Sequence, residues 1–119
     1  MHNFKKLNIW QNSVNFVTEI YRLTRTFPAK ERFGLISQME RSALSIPANI
    51  AEGSAKTSNK DFARFLEISI GSSFELETEL IVAKNLGYLD DEKYLYFQNK
   101  ISELQKMING FKNKLQQVS

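Results

Sequence analysis

Apolar residues recur along this chain at spacings of three, four and seven, the period of an amphipathic helix. Near the start, two such seams together form a broad apolar face and predict a first helix from about Leu7 to Thr26. The helix should end at Phe27-Pro28, because the residue before proline avoids the helical region. The seams comprise Leu7, Trp10, Val14, Val17 and Tyr21, and Ile9, Phe16, Ile20 and Leu23.

A second helix is predicted from near Lys30, and it contains a proline. Pro47 removes one backbone hydrogen bond and crowds the carbonyl of Ala43, so a kink or break is expected around residues 44–46. Gly53 is expected to cap the end of this helix. Its apolar seam comprises Ile36, Met39, Ala43, Ile46 and Ile50.

Two longer helices follow. The third is predicted from Asn59, after a capping box started by Ser58, to about Leu86, where Gly87 stops it. Asp90 caps the fourth. The third seam comprises Phe62, Leu66, Ser69, Ser73, Leu76, Leu80 and Ala83, and the fourth comprises Tyr94, Phe97, Ile101, Leu104, Ile108, Phe111, Leu115 and Val118. Helices of this kind joined by short loops predict an all-α fold, an antiparallel four-helix bundle in which residues 1–119 form a single domain.

Composition and charge narrow the class of protein. The longest apolar runs are four residues, far short of the roughly 20 that a membrane-spanning helix needs. There is no cysteine, and the first 30 residues lack the apolar stretch of a signal peptide, so a cytoplasmic location with no membrane partner is expected. Residues 1–60 hold nine Lys and Arg against four acids, whereas residues 61–119 hold seven against nine. This asymmetry fits a polyanionic partner, contacts between oppositely charged copies, or scattered solvated charge.

The sequence lacks the combinations of residues that metal binding or nucleophilic catalysis in a helical bundle would need. His2 is the single histidine and precedes every predicted helix, so the Glu-x-x-His pairs of di-iron bundles are absent and no serine has a histidine base. The carboxylates Glu75, Glu77 and Glu79 are interpreted as solvated or ion-paired surface. We therefore expect no enzymatic activity, no cofactor and no metal.

Two segments of the predicted helices have residues that are unusual inside a helix. Residues 45–53 combine Pro47 with the polar Asn49 and Glu52, which either face a ligand or subunit, or, as we favour, bond to backbone groups freed by the kink and to the next helix. Gly71 begins a run of three small residues in the third helix, where glycine costs about 1 kcal/mol relative to alanine. Such residues let another backbone approach, from the same bundle or from another subunit.

With these motifs the chain resembles the bacterial four-helix bundle family named for open reading frames in 23S rRNA intervening sequences. One departure is Glu40, where such proteins often carry a second arginine beside Arg41. The matching residues are Trp10, Gln11, Phe27, Pro28, Glu31, Phe33, Gly34, Leu35, Gln38, Arg41, Ser42, residues 45–53, Phe62, Phe65, Leu66, Gly71, Ser72, Glu75, Leu76, Glu77 and residues 86–89.

The resemblance implies a ring-like homopentamer without known catalysis that associates with nucleic acid. The family is also similar to the accessory protein of diversity-generating retroelements, a basic pentamer that partners a reverse transcriptase and its template RNA. The leading hypothesis is therefore an adaptor for RNA or DNA, and the alternative is a protein-binding scaffold that uses the surface around Glu75, Glu77 and Glu79. Candidate phosphate contacts are Lys5, Lys6, Arg22, Arg25, Lys30, Arg32, Lys56, Lys60 and Arg64.

Overall fold

Four α-helices lie along one another in the computed structural model, which describes residues 2–118. They are α1 (Asn8–Thr24), α2 (Leu35–Ser54), α3 (Asn59–Asn85) and α4 (Asp91–Gln117), with short 3₁₀ segments at Phe4–Lys6 and Ala29–Glu31. The bundle is elongated, 46 × 24 × 20 Å. The short connections make sequential helices antiparallel neighbours, and α2 and α3 pack most extensively. The predicted all-α four-helix bundle is confirmed.

The seams that predicted the helices form the core. The predicted seam of α3 is buried at every position, from Phe62 to Ala83, and the seam of α4 is buried or half-buried through Leu115. Val118 is the exception, since it follows the last helical residue and is 76% exposed. The two serines of the α3 seam donate hydrogen bonds to backbone carbonyls. Ser69 Oγ donates to the Ile46 carbonyl oxygen at 2.9 Å, across the α2–α3 contact, and Ser73 Oγ donates to that of Ile70 at 2.6 Å. The small, satisfied side chain of Ser69 lets α2 and α3 approach closely.

The predicted starts of the two long helices are confirmed. The Ser58 hydroxyl accepts the Asp61 N–H at 3.1 Å, and the Asp90 carboxylate accepts the Lys93 N–H at 2.8 Å. Each cap satisfies a backbone donor that has no partner within its helix.

The predicted stop at Gly87 is also confirmed. Gly87 has a φ of 81°, the left-handed conformation that glycine adopts without steric cost. Its N–H donates to the Lys84 carbonyl at 2.9 Å, and the Tyr88 N–H donates to the Ala83 carbonyl at 3.0 Å. These two bonds form a Schellman motif, which ends α3 and turns the chain toward α4.

Two expectations about the second helix are wrong. It begins at Leu35 instead of near Lys30, because residues 29–31 form a separate 3₁₀ turn and Gly34 precedes the first helical residue. Gly53 does not cap it, because α2 continues through Ser54 and Ala55 takes the capping position. Pro47 is buried within an uninterrupted helix, so no break occurs, and the kink at Pro47 stays a prediction.

Candidate nucleic-acid interface

The bundle separates the nine predicted basic contacts into two groups at opposite ends. Arg22 and Arg25 lie at the end of α1, and Lys30 and Arg32 lie in the connection to α2. We call these four the hairpin cluster. The other five, the terminal cluster, comprise Lys5, Lys6, Lys56, Lys60 and Arg64.

The terminal cluster is brought together by the start of the chain. The His2 N–H donates to the Ser54 carbonyl at 3.0 Å, which places the first residues beside the end of α2 and the start of α3. At 1.5 Å per residue, Asn8, the first residue of α1, and Arg22 are about 21 Å apart along the helix, and Lys5 and Lys6 precede Asn8. The nine residues therefore form two surfaces instead of one.

Part of the terminal cluster is engaged within the subunit. The Lys56 ammonium lies 5.0 Å from the centre of the Phe65 ring, and the Arg64 guanidinium lies 5.6 Å from the same ring. Arg64 also pairs with Asp61 at 3.6 Å. These contacts compete with phosphate for both cations. The Lys5 ammonium also lies near a ring, 6.0 Å from the centre of Phe4, which leaves Lys6 and Lys60 without such a contact among the described residues.

Within the described residues, the hairpin cluster forms no ion pair, and Lys30 interacts with Glu31 only through longer-range charge attraction. All four of its side chains are exposed. The acid within its loop is Glu31, whose carboxylate accepts the Tyr88 hydroxyl at 2.7 Å and the Leu35 N–H at 3.4 Å. The Tyr88 hydrogen bond, then the bond to Leu35, lowers the pKa of Glu31. Glu31 is thus committed to holding the loop in place.

One residue of this surface escaped the sequence reasoning. Phe33 directly follows Arg32 and is 93% exposed, although large aromatic side chains are ordinarily buried. From the sequence, Phe33 was predicted only to match the family pattern. Its position five residues after a proline and beside a glycine, outside any helical seam, is the signal that was available. An exposed ring among cations is a surface on which a nucleobase can stack.

The acidic residues considered for a protein-docking surface are dispersed. Glu77 faces α4, where its carboxylate accepts hydrogen bonds from Gln98 at 3.0 Å and Gln105 at 2.9 Å. Glu79 faces α2 and accepts from Ser42 at 3.3 Å. Glu75 is the exposed member. Three neighbouring acids in the sequence therefore take three different surroundings.

The carboxyl group of Glu79 is partly buried, and its pKa is raised. Its Oε1 atom is buried and accepts no hydrogen bond from the described residues. Burial raises the pKa of this carboxyl above its ordinary value, and the nearby Glu75 raises it further, while the Ser42 hydrogen bond opposes both. The ionised form of Glu79 is consequently disfavoured in the fold.

Residues 45–53 serve mainly to pack α2 against α3. The Asn49 side-chain amide donates to the Ser45 carbonyl at 2.8 Å and to the Ser45 hydroxyl at 2.9 Å. The Ser45 hydroxyl in turn bonds to that of Ser72 on α3 at 2.8 Å. Asn49 thus donates to the backbone one turn before it, at Ser45. The carbonyl to which Pro47 has no N–H to donate is that of Ala43, so Asn49 bonds to a different carbonyl. Glu52 is exposed.

The two glycines of the predicted motifs differ in what surrounds them. A Cβ at Gly53 would lie 2.8 Å from both Phe62 Cδ1 and Phe65 Cβ, so this glycine permits the close approach of α3. A Cβ at Gly71 would meet no atom of the described residues within 4 Å. The small residue at position 71 is therefore not needed for packing inside the bundle.

The described residues hold neither a metal-binding cluster nor a membrane-spanning helix. Among residues 2–118, no three His, Cys, Asp or Glu side chains come together in a group able to hold a metal ion. None of the helices in that part of the chain has both the length and the apolar character to cross a membrane.

These features define a small four-helix bundle with exposed basic surfaces at both ends. The chain belongs to the 23S rRNA-intervening sequence protein family, whose model matches residues 5–110, so the predicted resemblance is confirmed. A similar solved structure is a protein of unknown function from the S23 ribosomal protein family of Bacteroides thetaiotaomicron. It is 26% identical, with a TM-score of 0.82 over 88% of this chain and 95% of that one. None of the curated proteins compared with the chain matches it.

Proposed function

We propose that this chain forms a non-catalytic, cytoplasmic homopentamer that binds RNA through its hairpin cluster. The observation that carries the proposal is the state of Arg22, Arg25, Lys30 and Arg32, which are exposed, lie at the same end of the bundle and form no ion pair within the described residues. Lys and Arg side chains in this state bind phosphates without reading sequence, and binding releases the counterions of the nucleic acid. The terminal cluster would add phosphate contacts at the other end of each subunit.

Assembly is supported by the outer face of α3. Ile68 and Val82 on α3 and Leu86, which follows its last residue, are 47%, 42% and 53% exposed. With Gly71 they lie on one side of the helix, which also carries the exposed Glu75. Exposed apolar side chains along one helix face are typical of a surface that binds another chain. The open space at Gly71 suits the close approach of a helix from a neighbouring subunit.

The family resemblance supports five subunits in a ring, and the net charge supports the proposed role in RNA binding. Each chain has a net charge of +3, and a pentamer presents five copies of each cluster. Linked sites bind a polymer with an avidity that a single site lacks. The competing role as a protein scaffold has less support, because Glu77 faces α4 while Glu75 and Glu79 lie on the side of α2, and Glu77 and Glu79 each accept hydrogen bonds from another helix.

Charge reversal in the hairpin cluster tests the RNA proposal. The double variant Arg22→Glu, Arg25→Glu should bind a fluorescently labelled RNA at least about tenfold more weakly at about 100 mM salt, because phosphate contacts become repulsions. Lys100→Glu with Lys106→Glu is the matched control, since it changes the net charge equally on exposed positions in the middle of α4. An equal loss in both double variants would contradict a binding site at the hairpin cluster.

Light scattering tests the assembly. Five chains of 13.8 kDa give about 69 kDa. A stable species of one or two chains at micromolar concentration would contradict the pentamer. The same measurement on both double variants shows whether an effect on RNA binding arises from altered assembly.

A further inference from the structure

A cleft lies between the end of α1 and the first turns of α2, beside the hairpin cluster. Its volume is about 440 Å³, within the range of about 300–1,000 Å³ typical of small-ligand sites. Arg25 and Arg32 contribute to its walls, together with Tyr21, Thr24 and Glu40. The cleft therefore places two guanidinium groups and one carboxylate around the same space.

Glu40 is held in the wall of the cleft by a hydrogen bond. Its Oε2 atom accepts the Thr24 hydroxyl at 2.8 Å, and Thr24 is 1% exposed. Burial raises the pKa of Tyr21, another residue of the cleft, and the negative charge of Glu40 raises it further. In the structure of residues 2–118, Oε1 of Glu40 accepts no hydrogen bond, and no ion pair joins Glu40 to Arg25 or Arg32.

Two guanidinium groups and one carboxylate around the same cleft favour some ligands over others. A bare phosphate would pair with the two arginines but would be repelled by the carboxylate. A ligand that carries both an anionic group and a hydrogen-bond donor satisfies all three side chains. A ribonucleotide is such a ligand, because its phosphate accepts hydrogen bonds from guanidinium groups and its ribose hydroxyls donate to carboxylates.

We propose that the cleft binds one ribonucleotide of the RNA, with the phosphate at Arg25 and Arg32 and the ribose 2′-hydroxyl donating to Glu40. This inference rests on the proposed function and adds a chemical basis for choosing RNA over DNA. The 2′-hydroxyl is the group by which a protein distinguishes the two at a single site. Phosphate contacts alone would bind both polymers.

The test compares RNA and DNA decamers of the same sequence by fluorescence anisotropy. The wild-type protein should bind the RNA about tenfold more tightly, as expected for one hydrogen bond to a charged acceptor. Glu40→Leu should reduce the ratio of the two affinities to about one. Glu40→Gln should retain part of the preference, because its amide oxygen still accepts a hydrogen bond. Glu103→Leu, the same charge change at an exposed position on α4, should leave the ratio unchanged.

Calorimetry with adenosine 5′-monophosphate and its 2′-deoxy form distinguishes ribonucleotide binding in the cleft from RNA binding by the hairpin cluster. The ribonucleotide should bind the wild type about tenfold more tightly than the deoxy form, and Glu40→Leu should abolish the difference. Equal affinities of the wild type for RNA and DNA would overturn the cleft proposal while leaving RNA binding by the hairpin cluster intact. Absence of RNA binding together with selective binding of the ribonucleotide would contradict the proposed function and uphold the cleft. A preference for one base in both RNA and DNA would show that Glu40 reads the base, and would overturn the assignment to ribose.

Discussion

The Tyr88 hydroxyl donates a 2.7 Å hydrogen bond to the Glu31 carboxylate across 57 residues of sequence. It fastens the loop that carries Lys30, Arg32 and Phe33 to the connection between α3 and α4. The Tyr88 ring also packs against Phe27, with ring centres 5.4 Å apart. The hairpin cluster is therefore held by contacts outside its own loop, and its geometry does not depend on local sequence alone.

Removing this hydrogen bond should loosen the loop. Tyr88→Phe should lower the melting temperature at pH 7 and weaken RNA binding modestly, since Lys30 and Arg32 lose part of their fixed position. The hydrogen bond lowers the folded-state pKa of Glu31, so its stabilisation is present above the unfolded pKa and is lost as the pH falls through the folded value. The difference in melting temperature between variant and wild type should therefore shrink below about pH 4. A difference that is constant from pH 7 to pH 3 would contradict this account.

Asn49 is predicted to stabilise α2. Replacing it with leucine removes the donor to the Ser45 carbonyl and hydroxyl, and should reduce the free energy of unfolding by about 0.5–1.5 kcal/mol. Denaturant unfolding measures the change, with the exposed Glu52→Gln as a control that should behave like the wild type. If Asn49→Leu retains full stability and loses only RNA binding, Asn49 belongs to the binding site.

The two glycines should respond in opposite ways to alanine. Gly53→Ala should cost about 1–3 kcal/mol of stability, because the added Cβ would meet Phe62 and Phe65 at 2.8 Å. Gly71→Ala has open space and should stabilise the isolated subunit by up to about 1 kcal/mol, but it should weaken assembly if α3 lies against another subunit. Light scattering over a dilution series detects the weaker assembly. A Gly71→Ala protein that dissociates no more readily than the wild type would remove this position from the interface.

Glu79 should make stability depend on pH. Because its folded-state pKa is raised, its contribution is complete below the unfolded pKa and is lost as the pH rises through the folded value. Glu79→Gln should therefore be more stable than the wild type at pH 7, by less than about 1 kcal/mol for a half-buried group, and this advantage should vanish near pH 4. Glu75→Gln, at the exposed neighbour, is the control. An equal advantage in both variants would indicate general charge relief instead of burial.

The helices could be predicted because their signals are local. The seam of α3 and the caps at Ser58, Asp90 and Gly87 depend on residues within a few turns of one another. The start of α2 was misplaced because residues 29–31 turn as a 3₁₀ segment, which has no distinct apolar period. Gly53 was wrongly predicted to be a helix cap, because what requires a glycine there is the close packing of Phe62 and Phe65 from the next helix.

The candidate site was predicted less completely, since its geometry depends on how the helices pack. The nine basic residues were identified by charge, but their division between two ends follows from the bundle topology. Glu77 and Glu79 look alike in sequence and face different helices. The bond between Thr24 and Glu40 joins α1 to α2 through the fold, and no spacing rule indicates it.

The salt dependence of RNA affinity tests the central claim most directly. Anisotropy of unrelated labelled RNAs, measured with the wild-type protein from about 50 to 200 mM salt, should give similar affinities for all sequences. Each affinity should fall linearly on logarithmic axes, with a slope of about −0.7 for every single-strand phosphate neutralised. Binding that does not change with salt, or no detectable binding at about 50 mM, would contradict an RNA adaptor that acts through phosphate contacts.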